Sequence, residues 1–349
     1  MSITQVLIHW YRSNKRTLPW RNTNDPYKIW LSEIIMQQTR IDQGLAYYQR
    51  FVEKFPTLTD LAQAEEQEVL RLWQGLGYYS RARNLHASAK QILNEYEGVF
   101  PSDYVLILKL RGVGEYTAAA ISSFAFGQAY AVVDGNVYRF LARYFSIETA
   151  IDSREGQILF KKLANDLLDK NRPALFNQAI MEFGSLQCKP QNPNCTICPF
   201  QSSCRAFAEN KIALLPVKKE KQKVRNRFFY YLVSEDLNGK FLMKKRDEKD
   251  IWQNLYDFPL IETEQAISEN ELIGKLLHLS IFNSKNLVVK EFSQESIQLL
   301  SHQKLHIRFI KVRFSFVEKE EFTAYSKAEI EHLPLPRPIE RYLSQILSD

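Results

Sequence analysis

All four cysteines of this 349-residue chain fall between positions 188 and 204, in the spacing Cys188-x6-Cys195-x2-Cys198-x5-Cys204. A disulfide framework spreads its cysteines along the chain, so four thiols in one loop point to a metal site in a reducing compartment. Sulfur ligands suit either zinc or an iron–sulfur cluster, and the spacing does not choose between them. Pro190, Pro193 and Pro199 stiffen the loop. The loop also divides the chain: helical periodicity runs up to it, and strand-like patterns appear beyond it.

The balance of 45% hydrophobic and 25% charged residues is that of a globular protein, and the length suits about two domains. A net charge of +6 and a pI near 8.9 are a modest basic excess, which suggests a polyanion partner. Ile3 to Trp10 is too short and too polar for a signal peptide. The longest uncharged run, Tyr116–Val133, is interrupted by Thr117, Ser122, Ser123, Gly127 and Gln128 and reads as a buried helix and a turn. A soluble, cytoplasmic protein is expected, associated with the nucleoid if the source is bacterial.

Apolar residues recur at helical spacing over 3–12, and Leu18-Pro19-Trp20-Arg21 breaks the pattern. Asp25-Pro26 is an N-cap followed by a first-turn proline, which predicts a helix over 26–38 with Ile29, Trp30, Ile34 and Ile35 on its buried face. Glu33 lies close to that face, where an acid either caps something or has a raised pKa. Further helices are expected over 42–53, 65–73, 136–145, 154–168 and 173–185. The turns starting at Gly75 and Gly112 share the pattern Gly, aliphatic, Gly, any, Tyr, Ser/Thr, any, Ala and read as two similar helix–hairpin–helix turns. In the first, Tyr78 and Tyr79 stand beside Arg81 and Arg83, a composition that suits base stacking and phosphate contact. In the second, Gly112 and Gly114 precede an Ala-rich helix over 118–126, which makes a plausible phosphate cradle. Asp134, after Val132-Val133, either caps the next helix or acts on whatever the phosphate belongs to.

Residues 218–227 hold six basic side chains and one acid, a linker able to lie along a phosphate backbone. Beyond it, Phe228–Val233 and Lys240–Met243 flank Leu237-Asn238-Gly239 as a hairpin. Leu305–Phe314 intersperses cations among apolar residues after Ile307 and reads as a strand with one wet face. Short helices fit over 268–278 and 339–347, giving a second domain of α+β type.

In order, the segments LPWR (18–21), SEIIMQQT (32–39), GLGYYSRARNLH (75–86), GVGEYTAAAI (112–121), VVDGNVYR (132–139) and the cysteine loop resemble the MutY family of adenine DNA glycosylases, in the helix–hairpin–helix superfamily. The likeness is dense over residues 1–210 and continues through Trp252-Gln253-x-x-Tyr256-Asp257-Phe258-Pro259 and Leu300-Ser301-His302. It implies a multidomain protein. An all-α helix–hairpin–helix glycosylase domain would occupy 1–187, a [4Fe–4S] loop on Cys188, Cys195, Cys198 and Cys204 would occupy 188–210, and a basic linker 211–227. A Nudix-like α+β domain would fill 228–349. No Nudix-box glutamate run follows residue 228, so this domain would recognise 8-oxoguanine rather than hydrolyse a nucleotide.

The resemblance further implies a monomer that binds duplex DNA, flips out adenine paired with 8-oxoguanine or guanine, and hydrolyses its glycosidic bond. Glu33 would be the general acid. Asp134, kept ionised, would stabilise the oxocarbenium-like sugar or trap it covalently, and Tyr116 and Asn136 would orient the acid or the water. Trp20, Arg21 and Gln178 would line the pocket. Tyr78 would wedge beside 8-oxoguanine with Gln38, Thr39 and Leu76 nearby; Gly112 and Gly114 would hold phosphate; Ser301 and His302 would meet 8-oxoguanine. Tyr116 stands where endonuclease III-like members carry a Schiff-base lysine, which implies a monofunctional enzyme. Arg111 replaces a frequent proline and Leu300 a frequent phenylalanine. Of the rival readings, a bifunctional lyase conflicts with Tyr116 and the C-terminal domain. A non-catalytic iron–sulfur DNA-binding protein conflicts with Glu33 and Asp134.

Overall fold

The computed structural model describes residues 1–219, 224–236, 238–278, 287–313 and 321–346. They form two compact units, Met1–Gln63 with Asn84–Glu220 and Ala64–Arg83 with Lys221–Asp349.

The first unit is helical. Its α1 (Ile3–Asn14) opens on a capping box: Ser2 Oγ accepts from the Gln5 amide and Gln5 Oε1 accepts from the Ser2 amide. Asp25 caps α2 (Pro26–Met36), accepting from the Tyr27 amide at 2.9 Å. The helix stops short of the expected residue 38 because Gln38 turns to φ +54°. There follow α3 (Ile41–Lys54) and α4 (Leu58–Gln63). After the excursion into the second unit come α7 (Tyr104–Leu108), α8 (Glu115–Phe126), α9 (Gly135–Phe145), α10 (Arg154–Leu167), α11 (Pro173–Leu186) and α12 (Arg205–Ala208). Among the described residues no strand precedes Arg225. Helix α11 packs on α1 and α9, and α2 packs on α3 and α8. Leu7, Phe140, Phe160, Phe176 and Phe183 fill the core. Each such side chain contributes roughly 1.5–3 kcal/mol of burial.

The second unit takes in α5 (Glu66–Trp73) and the start of α6 (Ser80–Glu95). Strand β1 (Arg225–Val233) pairs in parallel with β7 (Gln303–Arg313) and antiparallel with β4 (Leu260–Thr263). The other edge of β7 is shared by β5 (Val288–Phe292) and β6 (Ser296–Leu299). A smaller sheet sets β2 (Phe241–Lys245) between β3 (Tyr256–Asp257) and β8 (Thr323–Tyr325). Helix α13 (Glu269–Leu277) covers one face with Leu272 and Leu276. Helix α15 (Arg337–Ile346) covers another with Ile339 and Leu343, and the single turn α14 (Lys327–Ile330) precedes it.

The residues around Asn238-Gly239 do form a hairpin turn, in which Glu235 bridges Phe241 antiparallel. The Asp236 amide donates to the Lys240 carbonyl at 2.9 Å and the Leu242 amide to the Ser234 carbonyl at 3.4 Å. Yet β1 and β2 then enter different sheets; Leu237 lies outside the described residues. Strand β7 has no single wet face. Leu305, Ile307 and Phe309 join one core while Ile310 and Val312 join the other, because the strand is sandwiched between helices. The span read as a linker includes the first residues of β1. Arg227 there is buried and paired with Asp250 at 2.6 Å and Glu262 at 2.6 Å, so it is not free to follow a phosphate backbone. Residues 220–223 of that span are outside the described set.

The two glycine turns also differ. Gly75 and Gly77 both have positive φ, as has Tyr78 at +49°. In the second turn only Gly112 does, at +73°, and Gly114 is an extended N-cap of α8. A shared local pattern therefore serves two conformations, because the flanking contacts differ.

Candidate active site

Glu33, on α2, is 9% exposed, and its Oε2 accepts a hydrogen bond from Tyr116 Oη at 2.7 Å. Burial lifts its carboxyl to about 7 from the ordinary 4.5; the charge of Asp134 adds to this, while the Tyr116 hydroxyl and Arg21 oppose it. Tyr116, at the start of α8, is itself pushed far up by burial and the two nearby acids, which locks it as a donor.

Asp134 ends the extended segment that enters α9 and caps that helix. Its Oδ1 accepts from the Asn136 amide at 2.9 Å and the Val137 amide at 2.8 Å, and Oδ2 accepts from Asn136 Nδ2 at 2.6 Å. Capping and placement beside Glu33 are therefore both realised. Burial raises Asp134 too, against the pull of these three donors and Arg139. The expected opposition in pKa between Glu33 and Asp134 is thus absent in direction. What separates them is donors: one hydroxyl on Glu33, three N–H groups on Asp134.

The opposed acid is Glu182, which the sequence reading passed over. It is 1% exposed on α11 and grips Arg21 bidentately at 2.9 and 2.8 Å. Arg16 adds its amide at 2.8 Å and its Nε at 3.0 Å. Burial favours the neutral acid, yet the Arg21 and Arg16 donors win and hold the carboxyl down to about 2. The signal was available: Glu182 is the lone acid in the apolar helix PALFNQAIMEFGSL, four residues after Gln178. Gln178 accepts from Tyr11 Oη at 2.7 Å, and Trp20 packs edge-on against Tyr48.

Two further positioning residues escaped notice. Asn177, fully buried, accepts from the Val132 amide at 3.1 Å and donates to the Tyr130 carbonyl at 2.8 Å, which pins the segment leading to Asp134. Arg139 donates to Asn136 Oδ1 at 2.8 Å and to the Cys188 carbonyl at 2.7 Å. At Gly184 a Cβ would lie 2.5 Å from the Asn136 carbonyl oxygen, so α9 and α11 touch backbone to backbone there.

The remaining site residues fall as follows. Gly112 sits with its backbone against Asn84, where a Cβ would be 2.8 Å from the Asn84 side chain, and Gly114 starts α8. Thr39 donates to the Gln37 carbonyl just after α2. In the second unit Leu76 is buried, Tyr78 is 46% exposed, and Tyr78 Oη meets Ser301 Oγ at 2.8 Å. His302 is exposed. Of the expected aromatic–cation surface, Tyr78 remains exposed with the Arg81 guanidinium 5.7 Å from its ring centroid. Tyr79 is buried, Arg81 lies over Trp73, and Arg83 donates to the Gln253 carbonyl.

All four cysteines line one cavity with Phe140, Arg143, Phe183 and Phe200. Burial raises the thiols of Cys195 and Cys204, and that of Cys198 to about 11. Arg143 Nη1 lies 3.5 Å from Cys188 Sγ and donates to the Lys189 carbonyl at 2.7 Å.

Residues 31–165 match the model of the HhH-GPD superfamily base excision DNA repair proteins, and residues 230–345 match that of the NUDIX domain. In structure, the chain resembles a thermostable thymine-DNA glycosylase (TM-score 0.55, 29% identity, 59% of this chain and 95% of that one). It also resembles endonuclease III in a non-covalent DNA complex (TM-score 0.52, 23% identity, 60% of this chain and 99% of that one), a likeness of fold. The class is therefore a base-excision-repair glycosylase of the HhH-GPD superfamily with a C-terminal Nudix-like domain.

Among curated proteins, the adenine DNA glycosylase of Buchnera aphidicola (subspecies Baizongia pistaciae) is 32% identical over 98% of this chain and 96% of its own length. That of Arabidopsis thaliana is 35% identical over 93% of this chain and 59% of its own. The chain belongs to the adenine DNA glycosylase family.

Proposed function

We propose that this chain binds duplex DNA, extrudes an adenine mispaired with 8-oxoguanine or guanine, and hydrolyses its N-glycosyl bond without cutting the strand. The observation that carries the reading is the buried Glu33, poised near neutrality on the Tyr116 hydroxyl and next to Asp134. An adenine anion is a poor leaving group, so Glu33 delivers a proton to the departing base. Cationic charge then builds on the sugar, and Asp134, with its three N–H donors, is the carboxylate that faces it. Asn136 holds Asp134, and Arg139 holds Asn136. The Arg21–Glu182 pair, with Trp20 and Gln178, supplies fixed donors and an acceptor for the base. Tyr116 has no amine to condense with the sugar, which supports a monofunctional reaction. Backbone amides at Gly112–Gly114 suit a phosphate, and Tyr78 with Ser301 and His302 suits the opposite base.

The four cysteines, ringing one cavity, fit a [4Fe–4S] cluster. The raised thiols of Cys195, Cys198 and Cys204 need iron to be held as thiolates. Bound there, a cluster supplies four iron–thiolate bonds that fix the 188–204 loop.

Single-turnover excision on duplexes with adenine opposite 8-oxoguanine, guanine or thymine tests the reading, using wild type, Glu33→Gln and Asp134→Asn. Both variants are expected to lose at least about 100-fold in rate. Wild-type rates in both would refute the mechanism, and borohydride trapping of wild type in stoichiometric yield would refute the monofunctional assignment.

A further inference from the structure

The turn that carries Tyr78 is an unusual stretch of backbone. Gly75 is at φ +95°, Gly77 at +74° and Tyr78 at +49°. A non-glycine residue in the left-handed region is strained and persists only where its surroundings over-determine it. Part of that determination is local. Trp73 Nε1 donates to the Gly77 carbonyl at 3.0 Å, and Arg81 Nη2 donates to the same oxygen at 3.3 Å.

The rest comes from residues more than 250 positions away, in the proline-punctuated segment Leu333–Pro338. Tyr79 Oη takes the Gly75 amide at 3.4 Å and donates to the Leu335 carbonyl at 3.2 Å. The Leu335 amide donates to Gln74 Oε1 at 3.1 Å, and Arg337 Nη1 to the Gly75 carbonyl at 3.3 Å. Pro334, Pro336 and Pro338 restrict φ along this segment, so its carbonyl and amide present a stiff edge. Tyr79 and Leu335 are both 5% exposed, so their hydrogen bonds are shielded from competing water.

The geometry points to Tyr79 as a positioning residue. Its hydroxyl ties the Gly75–Tyr78 turn to the Leu335 edge, and so holds the Tyr78 ring at Ser301 before DNA arrives. Tyr79 does not touch the substrate; it acts through Tyr78. This deepens the proposed function and rests on its assignment of Tyr78 and Ser301 to the opposite base.

The test is Tyr79→Phe, which removes one oxygen and keeps the buried ring. A duplex with a non-cleavable 2′-fluoroadenosine opposite 8-oxoguanine or guanine gives the affinity ratio between the two. A 2-aminopurine placed beside the opposite base reports wedge insertion by its fluorescence. Tyr79→Phe is expected to lower the 8-oxoguanine:guanine affinity ratio about three- to ten-fold, the range of a hydrogen bond, and to reduce the fluorescence rise. In combination with Ser301→Ala its effect should be less than additive, since both act through Tyr78. Arg337→Ala, at an exposed side chain, should shift the same readouts in the same direction, and so covers a Tyr79→Phe protein that fails to fold. An unchanged fluorescence rise in both variants overturns the proposal, as does full additivity with Ser301→Ala. If wild type shows no preference for 8-oxoguanine but Tyr79→Phe still lowers the fluorescence rise, the base assignment fails and the positioning role stands.

Discussion

The carboxyl of Glu33 is raised from 4.5 to about 7, a burial penalty that the fold carries whenever the group is ionised. At roughly 1.4 kcal/mol per unit, the shift is worth about 3 kcal/mol. Because the folded pKa lies above the unfolded one, the native state holds an extra proton between about pH 4.5 and 7. Stability therefore falls as pH rises through that window and is lowest once Glu33 is ionised. Glu33→Gln keeps the shape and an acceptor for Tyr116 but cannot ionise. The variant should be only slightly more stable than wild type at pH 5, by a little under about 1 kcal/mol, and about 3 kcal/mol more stable at pH 8. Excision should fail in the same variant, because an amide has no proton to give the base. Hydrogen exchange of the α2 and α8 amides measures the gap within the first unit alone, which avoids assuming two-state unfolding of a two-unit chain. A gap that stays constant from pH 5 to pH 8 would refute the reasoning, since the penalty would then not be electrostatic. Wild-type excision should likewise decline above pH 7 as the acid is lost.

Asp134→Asn separates capping from chemistry. Asparagine keeps the Oδ1 cap on the Asn136 and Val137 amides but sets its own amide against Asn136 Nδ2, so Tm should fall modestly while the single-turnover rate collapses. Gly184→Ala drives a methyl against the Asn136 carbonyl, 2.5 Å away, and should cost about ten-fold or more in rate with wild-type DNA affinity, read by filter binding. Asp257, fully buried on Arg246 and raised to about 6 chiefly by burial, gives the second unit the same sign of dependence. Measured against an Asp257→Asn reference, which cannot ionise and cancels the opposite dependence of Asp250, slowest exchange in β1 of wild type should lose on the order of 2–3 kcal/mol of protection between pH 4 and pH 7. Cys198→Ser should lower bound iron per chain and open the 188–204 loop to limited proteolysis, both measurable on the purified protein.

Much of the helical unit could be read directly, because its signals are local. Asp25-Pro26 announced α2, the spacing of Ile29, Trp30, Ile34 and Ile35 announced its buried face, and four cysteines in 17 residues announced a common cavity. The candidate acids were legible too, since Glu33 sits beside an apolar stripe and Asp134 before a helix start. What stayed hidden depends on distance along the chain. The destination of β1 and β2 is set by partners up to about eighty residues away, so a good turn signal could not show that the two strands enter different sheets. The tuning of Glu182 needs Arg16 and Arg21 brought 161–166 positions across sequence, and the burial of Asp134 outweighs donors that by themselves would favour its charge.

The sequence by itself determined most of the long helices, which residues are candidates for the chemistry, and that four thiols share one place, because propensity, capping and ligand spacing act within a few residues. Only the tertiary structure decided the protonation of those groups. It also decided that two look-alike glycine turns adopt different backbones, one braced by Leu335 and Arg337 and the other by Asn84. Burial and long-range hydrogen bonds fix both, and neither exists until distant segments have packed.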